Sequence, residues 1–382
     1  MNVDNSQNPI RSRQPATNDG ATNGTKRRKP TGHCLITGGA GFIGSNLAER
    51  LLEAGERVVL YDTLTREGVE QNVRHLSHRF GSQVRLRLAD VRDIDSLTEE
   101  MRHAESVFHL AAQVAVTSSI SYPELDFEVN ARGTLNVLEA MRRSGRRVPL
   151  VFTSTNKVYG ALEHLALEER PTRWMPTDAH STTISETAPL TFCSPYGCSK
   201  GAADQYVLDY ARTFGLPAVV FRMSCIYGPH QFGTEDQGWV AHFLLCLAQR
   251  QPLTIFGDGK QVRDVLFVDD LVAALLLART HSEQLRAQAF NIGGGYQASV
   301  SLLELFSILK RIGLDAARLR FADWRPGDQR YYVSDISRFS RATGWTPQIR
   351  PVDGVSRLAR WLLKERVAPA SSRAPLDATP PQ

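Results

Sequence analysis

The segment Thr37-Gly38-Gly39-Ala40-Gly41-Phe42-Ile43-Gly44 constrains this chain more than any other. It follows a short apolar run at 33–37 and precedes an amphipathic stretch at 42–54 that Gly55 stops. In a strand–turn–helix context the three spaced glycines have separate tasks. Gly38 permits the tight turn, Gly41 lets the backbone come close to a pyrophosphate, and Gly44 lets the helix pack tightly on the strand. The helix starts at Phe42 and Ile43, so its N-terminus offers free N–H groups and a positive dipole end to phosphates. The reading is a dinucleotide-binding βα unit.

The rest of the chain repeats that alternation. Strands are predicted at 57–61, 84–89, 106–110, 149–154 and 216–222, and helices at 123–144 and 195–214. Repeated βα units imply an α/β fold, a Rossmann-type doubly wound parallel sheet with helices on both faces. Beyond Gly228 the alternation becomes irregular. Elements near 253–256, 288–292 and 302–312 are assigned to a smaller C-terminal substrate-binding lobe. The expected organisation is a disordered tail at 1–31, a mainly NAD-binding domain at 32–228, a mainly substrate-binding lobe at 229–366, and a second disordered tail at 367–382. The first tail has almost nothing apolar to offset the entropy of ordering it, and the second, rich in Pro, Ala and Ser, reads the same way.

The net charge of +5 and the pI of about 9.0 raise the question of nucleic-acid binding. Location answers it. Residues 1–30 hold six basic and two acidic residues, a net +4, so the folded body is nearly neutral and lacks a polyanion-binding excess. The cysteines, Cys34, Cys193, Cys198, Cys225 and Cys246, are scattered without a CxxC pair or a companion histidine cluster. That pattern predicts no metal site and fits a reducing cytoplasm. The longest apolar run, at 271–278, is far short of the roughly 20 residues that span a membrane.

Asp62 ends the second predicted strand, 18 residues after Gly44. A carboxylate there accepts bonds from both adenosine ribose hydroxyls and repels a 2′-phosphate, which favours NAD over NADP; Arg66, four residues on, partly offsets the repulsion. Asp90, with Val91 beside it, ends the third strand and is a candidate for the adenine amino group, or alternatively a strand-end or helix-cap residue. Tyr196 and Lys200 sit four residues apart, one helical turn, where a lysine charge would lower the phenol pKa. Such a phenol can exchange a hydroxyl proton while hydride leaves the same carbon. Thr155, at the end of the fifth strand, is chosen to hydrogen-bond the reacting oxygen, with Thr153 and Ser154 as alternatives.

These residues resemble the extended short-chain dehydrogenase/reductase family, the nucleotide-sugar epimerases and dehydratases, over about residues 33–365. The likeness includes the glycine turn, Asp62, Asp90, His109-Leu110-Ala111-Ala112, Asn130, Thr155, Tyr196 and Lys200, Arg222, Tyr227-Gly228-Pro229, the 259–265 segment and Asn291-Ile292-Gly293-Gly294. It implies that Ala111, Ala112, Gln113 and Asn130 also contact the cofactor. Ser154-Thr155-Asn156-Lys157-Val158-Tyr159-Gly160, the 194–206 segment, Gln113-Val114-Ala115 and Asp236-Gln237-Gly238-Trp239 are more closely similar to the CDP-tyvelose epimerases (CDP-paratose 2-epimerases). Those enzymes keep NAD bound and invert C2 of a CDP-3,6-dideoxyhexose.

Gln113 and Thr155 are then expected on the substrate as well, and Arg263 and Arg325 on its diphosphate, where guanidinium pairs well with phosphate. Two departures stand out. Cys225 occupies a position where many relatives carry an asparagine that touches the diphosphate, and the segment 161–193 is long, individual, and placed to shape the sugar pocket. The alternatives are a UDP- or dTDP-sugar 4-epimerase, a 4,6-dehydratase, and a silent NAD-binding protein. Asn156-Lys157, where dehydratases carry Asp-Glu, argues against the second, and the Tyr196/Lys200 pair against the third. The family implies a homodimer or higher homo-oligomer through the helices at 123–144 and 195–214.

Overall fold

The computed structural model describes residues 32–314, 319–325 and 327–367. Both predicted tails, save for residue 367 at the end of the last helix, lie outside that range. The first half of the chain runs β1 (His33–Thr37), α1 (Phe42–Glu53), β2 (Val58–Asp62), α2 (Val69–Phe80), β3 (Val84–Leu88), α3 (Ile94–Met101), β4 (Ala104–His109), α4 (Val116–Ser121), α5 (Pro123–Phe127), α6 (Gly133–Ser144) and β5 (Leu150–Thr155). A hairpin of β6 (Leu167–Glu169) and β7 (Trp174–Pro176) precedes α7 (Ser194–Thr213) and β8 (Ala218–Met223). Then come β9 (Cys225–Tyr227), α8 (Trp239–Ala248), β10 (Leu253–Phe256), β11 (Val262–Phe267), α9 (Val268–Thr280) and β12 (Gln288–Ile292). The chain closes with β13 (Ser299–Ser301), α10 (Leu302–Arg311), β14 (Leu319–Ala322), β15 (Tyr331–Tyr332), α11 (Ser337–Thr343) and α12 (Pro351–Val367).

Seven strands form the central sheet in the order β12-β8-β5-β4-β1-β2-β3, every neighbouring pair parallel. Strands buried along their whole length, such as Leu150–Thr155, are what a parallel sheet covered on both faces requires. Period-two geometry sends alternate side chains to opposite faces. Ile36, Leu60, Val151 and Val219 join α1, α8, α9 and α12 in one core, while Leu35, Val59, Leu150 and Val220 join α3, α6 and α7 in the other. The doubly wound α/β architecture expected from sequence is therefore present.

Two expectations are corrected. Residues 288–292, assigned to the lobe, form β12, a full member of the central sheet paired with β8 over five residues. The chain leaves the sheet after β8, builds part of the lobe and returns through α9, so a single boundary at Gly228 does not divide the two regions. The helix predicted at 123–144 is α5 and α6 joined by a π-turn over Glu128–Arg132, a rare local widening often found near functional sites.

The lobe holds β11 between β13 (antiparallel) and the parallel strands β9 and β15, plus the pair β10–β14. A capping box starts α10, with Ser301 Oγ accepting from Glu304 N and Glu304 Oε2 accepting from Ser301 N, each at 3.0 Å. Segment 161–193 packs against this lobe. Leu162 and Ile184 bury with Tyr332, Trp174 Nε1 donates to Asp258 at 2.8 Å, and Arg173 donates to Ser299 O at 2.9 Å.

Candidate active site

A cavity of about 730 Å³ opens at the C-terminal ends of β1, β2 and β4. Its floor is the glycine turn. Gly38 has φ +69°, and a Cβ there would come within 2.8 Å of Ala111 N. A Cβ on Gly44 would strike Gly38 O and come within 2.7 Å of Gly39 Cα, so helix and strand could not approach. Gly41 meets only Gly38 O, at 3.2 Å, and leaves its open side to the cavity. Phe42, Ile43, Val91, Ala111, Ala112 and Gln113 all line the space.

Asp62 lines the far end and is held rigidly. Its Oδ2 accepts from Ala40 N at 3.0 Å and its Oδ1 from Leu64 N at 2.9 Å. Each oxygen keeps a lone pair for a ribose hydroxyl. Asp90 also faces the cavity, with its carboxylate gripped by the Arg92 guanidinium at 3.0 and 2.7 Å. That pairing draws its pKa below the ordinary carboxylate value. The capping role belongs to Asp93, which accepts from Asp95 N and Ser96 N at 3.1 Å. A dinucleotide fits this donor set: a glycine cradle under the phosphates and a carboxylate for a diol.

Asn130 is a correction. It is 1% exposed and does not line the cavity. Its Oδ1 accepts from Gln113 N at 2.9 Å, and its Nδ2 donates to Gln113 O at 3.0 Å and Ser199 Oγ at 3.1 Å. Every polar atom of the amide is spent on the wall behind Gln113, tying that wall to α7.

A second cavity, about 400 Å³, adjoins the first, and Ser154, Tyr196 and Met223 line both. Tyr196 and Lys200 sit on α7 one turn apart, as expected. The electrostatics differ from the sequence reading. Burial pushes the Tyr196 phenol up to about 12, opposed by a hydrogen bond with Thr155 and by the Arg66 charge. Lys200 Nζ donates instead to Thr153 O at 2.7 Å and lies 4.3 Å from the Phe152 ring centroid. Burial draws this ammonium down to about 7, against the pull of Asp204 and Asp126. Of the three hydroxyls at the end of β5, Thr153 bonds His109 O at 3.3 Å, while Thr155 faces the second cavity and the phenol. Ser154 Oγ is buried without a partner in either direction.

Cys225, Arg263 and Arg325 line the second cavity, as does Lys157. Arg263 Nη2 donates to Asp328 at 2.7 Å, and Lys157 Nζ lies 3.7 Å from the same oxygen. Arg325 stacks 3.8 Å from the Phe256 ring centroid and reaches Asp236 at 3.3 Å and Glu235 O at 3.1 Å. Gln113, expected at the substrate too, lines only the first cavity. None of residues 161–193 lines either one, so that segment buttresses the lobe and does not shape the pocket directly.

Residues 34–293 match the model of the NAD dependent epimerase/dehydratase family. The chain belongs to that family. A CDP-paratose 2-epimerase from Salmonella typhi is 43% identical over 334 residues, covering 86% of this chain and 98% of that protein. A UDP-glucose 4-epimerase from Mycolicibacterium smegmatis is 33% identical over 325 residues, 85% of this chain and 96% of its own. Among solved structures, a UDP-glucose 4-epimerase from Thermotoga maritima, crystallised with UDP-glucose, aligns with a TM-score of 0.74 at 31% identity, over 87% of this chain and 99% of that one. The dTDP-glucose 4,6-dehydratase of Streptomyces venezuelae, solved with NAD, aligns with a TM-score of 0.76 at 29% identity, over 88% and 98%. This epimerase uses NAD.

The sequence reading passed over several residues of the epimerase's two cavities. Lys157 and Gln237 entered the sequence analysis within similar stretches but were given no site role, and Gln231, which like Gln237 lines both cavities, sits in a loop with no periodic signal. Ser154, with Thr153 an alternative to Thr155 in the sequence reading, carries the strand-end hydroxyl that has no hydrogen-bond partner.

Proposed function

We propose that this epimerase inverts C2 of a CDP-linked 3,6-dideoxyhexose. The likeness to a CDP-paratose 2-epimerase along 98% of that protein's length carries the reading. Thr155 and Lys157 in the second cavity, beside Tyr196, support it. NAD, when bound, supplies the two-way hydride exchange that makes and unmakes a ketone at the inverted carbon. Gly38, Gly41 and Gly44 cradle its phosphates, and Asp62 takes its ribose diol.

Tyr196 removes the hydroxyl proton and later returns it, and Thr155 orients the same oxygen. Lys200, one turn along α7 from Tyr196, is fixed by Thr153 O. Arg263 and Arg325 hold the diphosphate while the sugar turns its other face. Holding the diphosphate requires both guanidinium groups to trade their present carboxylate partners for phosphate oxygens.

The exposed apolar side chains Phe127, Tyr206 and Phe214, on α5 and around α7, support a homodimer through that face, measurable by light scattering. All five cysteines are unpaired, which supports work in a reducing cytoplasm. Among the described residues no helix is long and apolar enough to cross a membrane.

The test uses substrate deuterated at one carbon. With C2 deuterium, the expected result is a primary isotope effect and retention of the label at C2 in the product. A primary effect from C4 deuterium with none from C2 would instead establish a 4-epimerase, the reading that the UDP-glucose 4-epimerase likenesses favour.

A further inference from the structure

Three side chains from distant parts of the chain converge where one of them, His230, also lines the cofactor cavity. They are Glu49 on α1, His75 on α2 and His230 in the turn after β9. His75 Nε2 lies 3.2 Å from Glu49 Oε1, and His230 Nε2 lies 3.8 Å from Glu49 Oε2. One ligand-capable atom from each falls within 4.8 Å of the other two. The two imidazoles are tilted by 43° with centroids 5.3 Å apart, so their nitrogens converge and the rings do not stack.

The neighbouring amide fixes the tautomer. Asn72 Nδ2 donates to Ala40 O at 2.9 Å, which leaves Asn72 Oδ1 facing His230 Nδ1 at 3.0 Å. An amide oxygen only accepts, so His230 Nδ1 carries the proton and Nε2 carries a lone pair. That lone pair points toward the Glu49 carboxylate from a side chain only 13% exposed. Two electron-rich groups held face to face in a sheltered site are completed by a cation. An oxygen acceptor on one ring nitrogen, with the other nitrogen free to ligate, is the arrangement that recurs around metal-bound histidines. The backbone supports a specific purpose, since His230 adopts φ +65°, a strained conformation for a residue with a Cβ.

We propose that Glu49, His75 and His230 form a binding site for a divalent transition ion of the zinc class. Two imidazoles and one carboxylate are the donor set of zinc, cobalt and nickel, not of magnesium or calcium, and water supplies the remaining position. Arg79 also pairs with Glu49 but has Glu53 as a second partner at 2.6 Å, so it can yield one carboxylate oxygen. The ion would fasten the turn at 228–231 to α1 and α2, where Asn46 already bonds Pro229 O at 2.9 Å. His230 and Gln231 line the cofactor cavity, so the ion stiffens a wall of that cavity without touching the reacting atoms. The cysteines play no part, and residues 49, 75 and 230 are too far apart in sequence to form a motif.

The test titrates untagged, chelator-stripped holoenzyme with Zn²⁺ alone by calorimetry and with Co²⁺ alone by visible absorption. The expected result is one saturable ion per chain with a tetrahedral cobalt spectrum. His75→Ala, half-exposed on α2 and free of core contacts, should fold and lose affinity by at least about tenfold. His78→Ala, three residues on along the same helix, should bind like the wild type. Absence of saturable binding to the wild type, or equal binding by His75→Ala, would overturn the proposal.

Discussion

Arg222 and Asp204 meet in two parallel hydrogen bonds beneath α7, Nε to Oδ2 at 2.9 Å and Nη2 to Oδ1 at 3.0 Å. Asp204 is fully buried and Arg222 nearly so. Removing one partner of a buried pair strands the other charge, at a cost of about 3–5 kcal/mol. Asp204→Ala should therefore lower stability by that order in urea denaturation. A loss below about 1 kcal/mol, the range of exposed pairs, would mean that water reaches Arg222.

Tyr196→Phe should cut turnover by about 10²–10⁴-fold, the usual worth of one positioned proton-transfer group. NAD content should stay unchanged, because the phenol is one contact among many on that cavity. Turnover with a nucleotide-sugar and NAD released on denaturation are the two measurements. Near-normal turnover would require another base.

Gly44→Ala should release cofactor. The added methyl has no room against Gly38 O and Gly39, so the turn must move and the phosphate cradle with it. The expected outcome is protein purified with little or no NAD and with lowered thermal stability. Full NAD occupancy would show that α1 can shift without loss.

Arg263→Gln should raise KM by more than the roughly 0–1 kcal/mol of a surface ion pair, with kcat little changed. Its side chain is 9% exposed and faces the cavity that Cys225 also lines. Arg325→Gln, whose side chain is 26% exposed, should have a smaller effect in the same direction. Steady-state kinetics on both variants checks the order.

Acid should destabilise the protein through His109. Thr37 Oγ1 lies 2.7 Å from its Nδ1 and Thr134 Oγ1 2.9 Å from its Nε2. Burial first, and then the Lys200 charge, draw its pKa down to about 3. The unfolded chain takes up this proton near pH 6.5, which the folded protein refuses until about pH 3. Stability thus falls as pH drops from 6.5 toward 3, by on the order of 4 kcal/mol from this group. Urea midpoints of His109→Gln should show a flatter pH dependence across that window, and an unchanged slope would remove His109 from the account.

The sheet strands β1, β2, β4, β5 and β8 were legible because each is a largely buried run between turn residues, β3, an edge strand with alternating arginines, by its place in the βα alternation, and α1 and α7 because glycine or proline marks their ends. β12 was not, because the local pattern of Gln288–Ile292 fits either region and only its pairing with β8, made across the whole lobe excursion, assigns it. The glycine turn and the Tyr196–Lys200 spacing were readable for the same reason, that their meaning is local. The direction of the Asn130 amide, the partner of Lys200 and the meeting of Glu49 with His230 depend on packing between distant segments, which no spacing records.

The return of β12 to the central sheet has a consequence for synthesis. β8 bonds β5 on one side and β12 on the other. Until residues 224–292 have been made, a nascent chain carries β8 as a bare edge, with unpaired N–H and C=O groups that invite pairing with a neighbouring copy. The first part of the lobe, and β12 after it, must leave the ribosome before that edge can be covered, so truncation after Gly228 yields a sticky fragment and not a free-standing cofactor module. Exchanging lobes between relatives to change the sugar would have to carry α9 and β12 across with them, or leave the recipient sheet unfinished.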